Sequence, residues 1–324
     1  MSTTIPLQQR VDDYLSERRR LGFELRPLHG LLTDFATFVA ERHHDGPLSI
    51  ELMVEWARKG KGGQGTRETW YRRLANLRPF LRYLRQFEPD TEIPEETLFG
   101  PAPGRVAPHI YREEEIVALL AATRTLGPPG CLRAATYETL FGLMAATGLR
   151  VSEAIHLREA DVDLKRGLLT VRESKCGKSR QVPLHPSTVE ALTRFRQRRR
   201  REIPTTPDPA FFTGARGSLP GQPLGERQVR RVFSQLREQL HWANRGAHAA
   251  PRLHDLRHTF AVRRLIAWQR EGCDLDRKML ALSTYLGHAN IGCTYWYLSA
   301  VPELMAVAGA KFERFAALEE CRDA

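Results

Sequence analysis

Apolar side chains recur every three or four positions through most of this chain, the spacing that gives an α-helix one dry face. In residues 7–22 the stripe is Leu7, Val11, Tyr14 and Leu15, closed by Gly22. Residues 28–42 and 49–59 carry further helical patterns, and Ser49 stands where an N-cap hydroxyl accepts a backbone N–H. Behind Thr66, a second N-cap, Trp70, Leu74, Leu77, Leu81 and Leu84 fall on one face at spacings of four, three, four and three. Pro79 lies inside that helix, where its missing N–H breaks one backbone bond and predicts a bend. These four segments predict a compact helical domain over residues 1–100. The period then fails in GPAPGRVAP, which ends at Pro108, so a linker is predicted over 101–109 with the boundary near residue 105.

Helical spacing resumes in residues 111–123 and again in 132–147, where it stops at Gly148. Leu149 and Arg150 occupy the break, and Ser152 is placed to cap the short helix SEAIHL. Residues 168–174 and 179–184 have strand character and are joined by KCGK, which predicts a hairpin with Lys175 and Lys178 near its tip. Two helices follow, the second with Val229, Val232, Phe233, Leu236 and Leu240 on one face. A Pro/Gly-rich loop lies between them. The chain closes with LHDLRHTF, LGH and TYWYL between Leu253 and Leu298, then a helical pattern from Pro302 to Arg322. The fold expected is mainly α with a small β-sheet: a helical N-terminal domain, then a mixed α/β domain over 110–324.

Charge adds a partner. The net charge is +11 and the pI about 9.8, and the basic residues are grouped. From Arg58 to Arg85 nine basic residues stand against one acid, and RFRQRRRR at 194–201 holds six arginines. Such runs make patches suited to a polyanion, which favours a nucleic acid. In the fourth helix Arg67, Arg72, Arg73, Arg78 and Arg82 lie mainly off the apolar stripe and are the candidate DNA-binding residues. No leader peptide and no apolar run of membrane-spanning length is evident, so a cytoplasmic, nucleoid-associated location without membrane contact is expected. The five cysteines are scattered, odd in number and without a CxxC pair, so they are read as reduced thiols.

The closing stretch carries candidate chemistry. His254 and Arg257 are three apart, so on a helix they share a face and can reach one phosphate together. His254 and His258 have the spacing of an HxxxH metal pair. The glutamate a zinc protease needs after the first histidine is replaced by Asp255, and no third ligand is evident, so no metal is expected.

The ordered set ATGLRVSEA, SKCGKSRQVPL, HDLRH, LGH and a tyrosine nine residues later resembles the tyrosine recombinases, the phage-integrase and Xer-type family. The resemblance covers the whole chain, since these proteins carry a helical core-binding domain before the catalytic domain. It implies that Arg150 and Arg257 grip a scissile phosphate, that Lys175 is the general acid, that His254 and His288 assist and that Tyr297 is the nucleophile. Glu153 matches the family's supporting acid. Tyr295 lies about 200° from Tyr297 around a helix, so both cannot face one phosphate. The family spacing from His288 selects Tyr297, and alignment on VPL selects Lys175 over Lys178. Double-stranded DNA as substrate, a tetramer on synapsed DNA, a C-terminal segment that docks on a neighbouring protomer and no cofactor are implied likewise. The ending STYLGH…TYWYL is similar to that of recombinases borne by transposons and integrative elements. The alternatives are a type IB topoisomerase and a catalytically silent DNA-binding regulator. The thirty-one residues from Arg257 to His288 exceed the spacing of compact members, which predicts a lengthened helix and loop around Trp268 to Asp276.

Overall fold

The computed structural model describes residues 5–23, 25–60, 65–174, 178–203, 209–214 and 222–300, together with 304–306, 309 and 313. The chain divides into two compact units, Met1–Arg105 and Val106–Ala324. The architecture is mostly helical with one small antiparallel sheet.

The first unit is built from α1 (Leu7–Arg20), α2 (Arg26–Glu41), α3 (Ile50–Lys59) and α4 (Arg67–Leu84). Ser49 Oγ accepts the Leu52 N–H at the start of α3, and Thr66 Oγ1 accepts the Thr69 N–H at the start of α4. Each cap satisfies a donor that the first helical turn leaves without an internal partner. The helix α4 continues through Pro79 to Leu84. Its stripe Leu74, Leu77, Leu81 and Leu84 is fully buried among Val11, Leu15, Leu32, Phe35 and Trp56. Burying one such side chain contributes roughly 1.5–3 kcal/mol, and this stripe ties α4 to the other three helices.

The second unit begins with α5 (Glu113–Ala122), α6 (Leu132–Thr147) and the short α7 (Val151–Ile155). The sheet follows, with β1 (Val162–Asp163), β2 (Leu168–Ser174) and β3 (Lys178–Pro183) in sequential antiparallel order. The expected hairpin is β2–β3, and the two-residue β1 adds an edge the alternation was too short to reveal. Leu169, Val171 and Val182 are buried, so one face of the sheet joins the core of α6 and the next helix, α8 (Pro186–Glu202). After α9 (Glu226–Leu240) come α10 (Asp255–Arg270), α11 (Leu275–Leu286) and α12 (Gly292–Ala300). The lengthened stretch resolves into a long α10, a four-residue turn and the start of α11, where Asp274 caps the helix by accepting the Asp276 and Arg277 N–H groups. Of the C-terminal pattern after Pro302, Leu304 is buried against α10 and α11 in a core with Ala261, Leu265 and Met279, and most of the rest lies outside the described residues.

Part of the basic run of α8 serves the fold. Arg196, Arg199 and Arg200 reach the Glu159 carboxylate at 2.9, 2.6 and 2.8 Å. Arg199 is buried and also donates to the carbonyls of Ala210 and Phe211.

Candidate active site

The elbow between α6 and α7 presents the first arginine. Gly148 ends α6 in the left-handed region at φ 65°, and a Cβ there would lie 2.7 Å from the Phe260 ring, so this turn requires glycine. Arg150 follows as the residue flanking α7. Its backbone N–H donates to Glu153 Oε2 at 2.9 Å and its Nη1 to Glu153 Oε1 at 2.7 Å. Ser152, expected to cap α7, lies inside the helix because Val151 already starts it. The carboxylate of Glu153 serves the cap instead.

Three guanidinium groups then meet the end of α11. Arg180 Nε donates to the Tyr285 carbonyl at 2.7 Å, Arg257 Nη2 to Leu286 at 2.6 Å and Arg150 Nη2 to Gly287 at 3.1 Å. The last carbonyls of a helix lack internal partners and carry the negative end of its dipole, so cations are favoured there. Gly287 has φ 67°, and a Cβ on it would press on the Arg180 guanidinium at 2.8 Å. The same three arginines surround Glu153: Arg180 donates to both its oxygens at 3.0 Å, and Arg257 Nη1 stands 4.0 Å from Oε2. Burial alone would raise the Glu153 pKa, and hydrogen bonds from Arg180 and the Arg150 backbone outweigh it and hold the carboxyl below its usual range. Three guanidinium charges against one carboxylate leave two positive charges, a field suited to a phosphodiester as negative charge builds on it. Arg257 is 2% exposed, and burial followed by the Arg150 charge brings its pKa down to about 10, so it stays charged at neutral pH.

The entry to α10 is held by Asp255. It is fully buried, accepts the Arg252 backbone N–H at 2.8 Å and pairs with the Arg252 side chain. This pin sets His254 at the cap and Arg257 in the first turn. His254 is packed edge-on against His258, ring centroids 4.8 Å apart. Burial, then the charges of Arg257 and Arg252, push the His254 pKa down to about 4. His288, next after the Gly287 turn, has Nδ1 2.7 Å from the Thr294 hydroxyl, and its ring stacks over that of Tyr297 at 6.4 Å. Tyr297 is 1% exposed, and its hydroxyl lies 2.9 Å from His258 Nδ1. Tyr295 is 38% exposed and its hydroxyl points to Asp276 at 3.3 Å, so the two tyrosines of α12 face apart.

Of the residues singled out in the sequence, Arg150, Glu153, His254, Arg257, His288 and Tyr297 are thus gathered around α7, the start of α10 and the turn after α11. Lys175 lies outside the described residues, between the ends of β2 and β3. The five arginines of α4 divide. Arg78 is 5% exposed and donates to the Pro94 and Glu95 carbonyls at 2.9 and 2.7 Å. Arg73 donates to Asp34 at 2.8 Å and lies 4.0 Å over the Trp56 ring. Arg67 is exposed but donates to the Phe99 carbonyl. Arg72 and Arg82 are exposed, with Glu68 and Glu96 as their nearest acids at 2.5 and 4.0 Å.

Three residues escaped the sequence reading. Arg180 shares a strand face with the buried Val182, and an arginine on a dry face was the available signal. His258 was weighed only as half of a metal pair, although its i, i+4 spacing from His254 put both on one side of α10. Thr294 precedes Tyr297 by three positions on α12, and it is fully buried.

Residues 110–303 match the model of the phage integrase family. The chain is 38% identical to a putative integrase/recombinase, y4rB, of Sinorhizobium fredii (strain NBRC 101917 / NGR234), over 95% of this chain and 97% of that one. It is 31% identical to the tyrosine recombinase XerC of Bacillus pumilus (strain SAFR-032), over 72% and 70% of the two chains. Its fold is similar to that of the integrase of transposon Tn1549 in complex with transposon right end DNA, with TM-score 0.67, 17% identity and coverage of 96% and 100%.

Proposed function

Because the chain belongs to the phage integrase family of tyrosine recombinases, we propose that it is a site-specific DNA recombinase that cuts and rejoins duplex DNA through a 3′-phosphotyrosyl intermediate. The observation that carries this reading is the buried Tyr297 hydroxyl on α12, in one neighbourhood with His254, His258 and His288 and with the guanidinium pair Arg150 and Arg257 beside Glu153. Arg150 and Arg257 take the non-bridging oxygens of the scissile phosphate. Guanidinium forks keep their charge at every working pH and suit that geometry. The Tyr297 hydroxyl gives up its proton to His288 as its oxygen bonds to phosphorus, the bond to the 5′ oxygen breaks, and Lys175 supplies the proton that the leaving oxygen takes. His254 and His288 hold the phosphate and assist proton movement. The phosphotyrosyl ester conserves the energy of the broken bond, so the partner strand's 5′-hydroxyl rejoins the backbone without ATP.

The N-terminal unit, as a core-binding domain, adds backbone contacts through the exposed Arg72 and Arg82. Exchange of two strand pairs through a Holliday junction calls for four protomers on synapsed DNA, with the C-terminal segment of each docked on its neighbour. The test is a supercoiled plasmid carrying two direct copies of the DNA that flanks this coding sequence, incubated with purified protein. Discrete recombinants with one crossover position are expected. Relaxation at unselected positions without recombinants would assign a type IB topoisomerase instead. Binding without any strand cleavage would assign a silent regulator.

A further inference from the structure

His258 has no role in the chemistry assigned above, yet one of its ring nitrogens meets the nucleophile. Its Nδ1 lies 2.9 Å from the Tyr297 hydroxyl, and its ring packs against Tyr297 at 5.5 Å, Trp296 at 5.7 Å and His254 at 4.8 Å. The phenol belongs to an apolar cluster with Ala261, Val262, Leu265, Met279 and Leu286. A buried phenol O–H is stabilised by an acceptor within hydrogen-bond distance, and His258 Nδ1 stands at that distance. A neutral imidazole does so at Nδ1 while its proton sits on Nε2. Burial and the neighbouring His254, Arg252 and Arg257 keep the His258 ring neutral, with its pKa down to about 2. That low basicity also separates two roles. A buried ring held neutral in this way is a poor destination for the phenol's proton. The imidazole therefore orients the hydroxyl and is not the proton's destination.

We propose that His258 is the positioning residue of the nucleophile: by accepting the Tyr297 hydroxyl hydrogen at Nδ1, it fixes the phenol's rotor and so the direction in which its oxygen is presented to the phosphorus. This rests on the recombinase reading of the same site.

The experiment uses the full chain and a nicked suicide duplex containing the cleavage position that wild-type protein selects. The single-turnover rate of covalent adduct formation is compared for wild type, His258→Phe and His258→Asn. The Phe variant keeps a ring and loses the acceptor, and Asn places Oδ1 close to where Nδ1 stood. His258→Phe is expected to slow adduct formation by about 10- to 100-fold with DNA affinity within about twofold, the scale on which a misplaced reacting group is felt. His258→Asn is expected to recover most of that loss. Replacing the scissile 5′ oxygen by sulfur makes a leaving group that needs no proton, and the His258→Phe deficit is expected to persist on it. Restoration by sulfur would place His258 on the leaving-group side and overturn the proposal. Equal rates for wild type and His258→Phe, or equally slow Asn and Phe variants, would also overturn it. Failure of wild-type protein to form any adduct would overturn the recombinase reading and this inference together.

Discussion

His254 and His258 lie one helical turn apart on α10, packed edge-on with centroids 4.8 Å apart, and both are held neutral by burial and by the arginines around them. Their folded pKa values, about 4 and about 2, lie below the 6.5 of a free histidine. The unfolded chain therefore binds protons that the folded one refuses. Stability from these two rings is fully present above about pH 6.5 and is lost as pH falls toward 4, by up to about 1.4 kcal/mol per pH unit for each ring. Glu153 works in the same direction at lower pH, because its depressed carboxyl gives stability that is lost only as pH falls through its folded value. The urea midpoint of wild-type protein should thus decline from pH 6.5 to 4.5, and that of the double variant His254→Gln, His258→Asn should decline less. Equal slopes would contradict the burial assigned to the pair. At this scale the sequence was partly legible. Spacing and family resemblance located Arg150, Glu153, Arg257 and Tyr297, whose motifs are local. Arg180 acts across the fold on Glu153, a contact set by packing that one-dimensional spacing does not encode, and Thr294 meets His288 across the turn that leads into α12.

Single elements carry double duty, which is why the charge of a helix misleads when read from its sequence. In α4 the stripe Leu74, Leu77, Leu81 and Leu84 was plain from its period, and it is buried as that period requires. The arginines between those leucines looked alike, yet Arg78 lies against the 94–95 segment and Arg73 against Trp56 and Asp34, where long stems cover apolar surface. Only the angle around the helix and the later chain decide which arginine faces solvent. Arg78→Ala is expected to lower stability by roughly 1–3 kcal/mol, because two carbonyls lose their donor. Arg72→Ala and Arg82→Ala should leave the thermal midpoint nearly unchanged and reduce the salt slope of DNA binding by about one each. Thermal unfolding and a salt titration of binding separate the two classes. An Arg78→Ala protein with unchanged midpoint would contradict the division. The end of α11 shows the same economy: its last carbonyls and the Gly287 turn hold the three arginines in register, so a helix terminus serves as the rear wall of the site.

In the molecule as a whole, one unit is a self-contained four-helix body and the other assembles residues from α7, α10, α11 and α12 about a single positive field. The second unit is where the matched family region lies. The chemistry proposed for it converges on one oxygen, the hydroxyl of Tyr297, which α12 keeps buried while Tyr295 faces away. The most direct measurement is therefore the site of covalent attachment. Wild-type protein, Tyr297→Phe and Tyr295→Phe would each be incubated with the nicked suicide duplex, and the adduct digested and sequenced by mass spectrometry. The account predicts a 3′-phosphotyrosyl linkage on the peptide containing Tyr297, lost in Tyr297→Phe with DNA binding intact and retained in Tyr295→Phe. An adduct that persists in Tyr297→Phe, or that maps to any other residue, would contradict it.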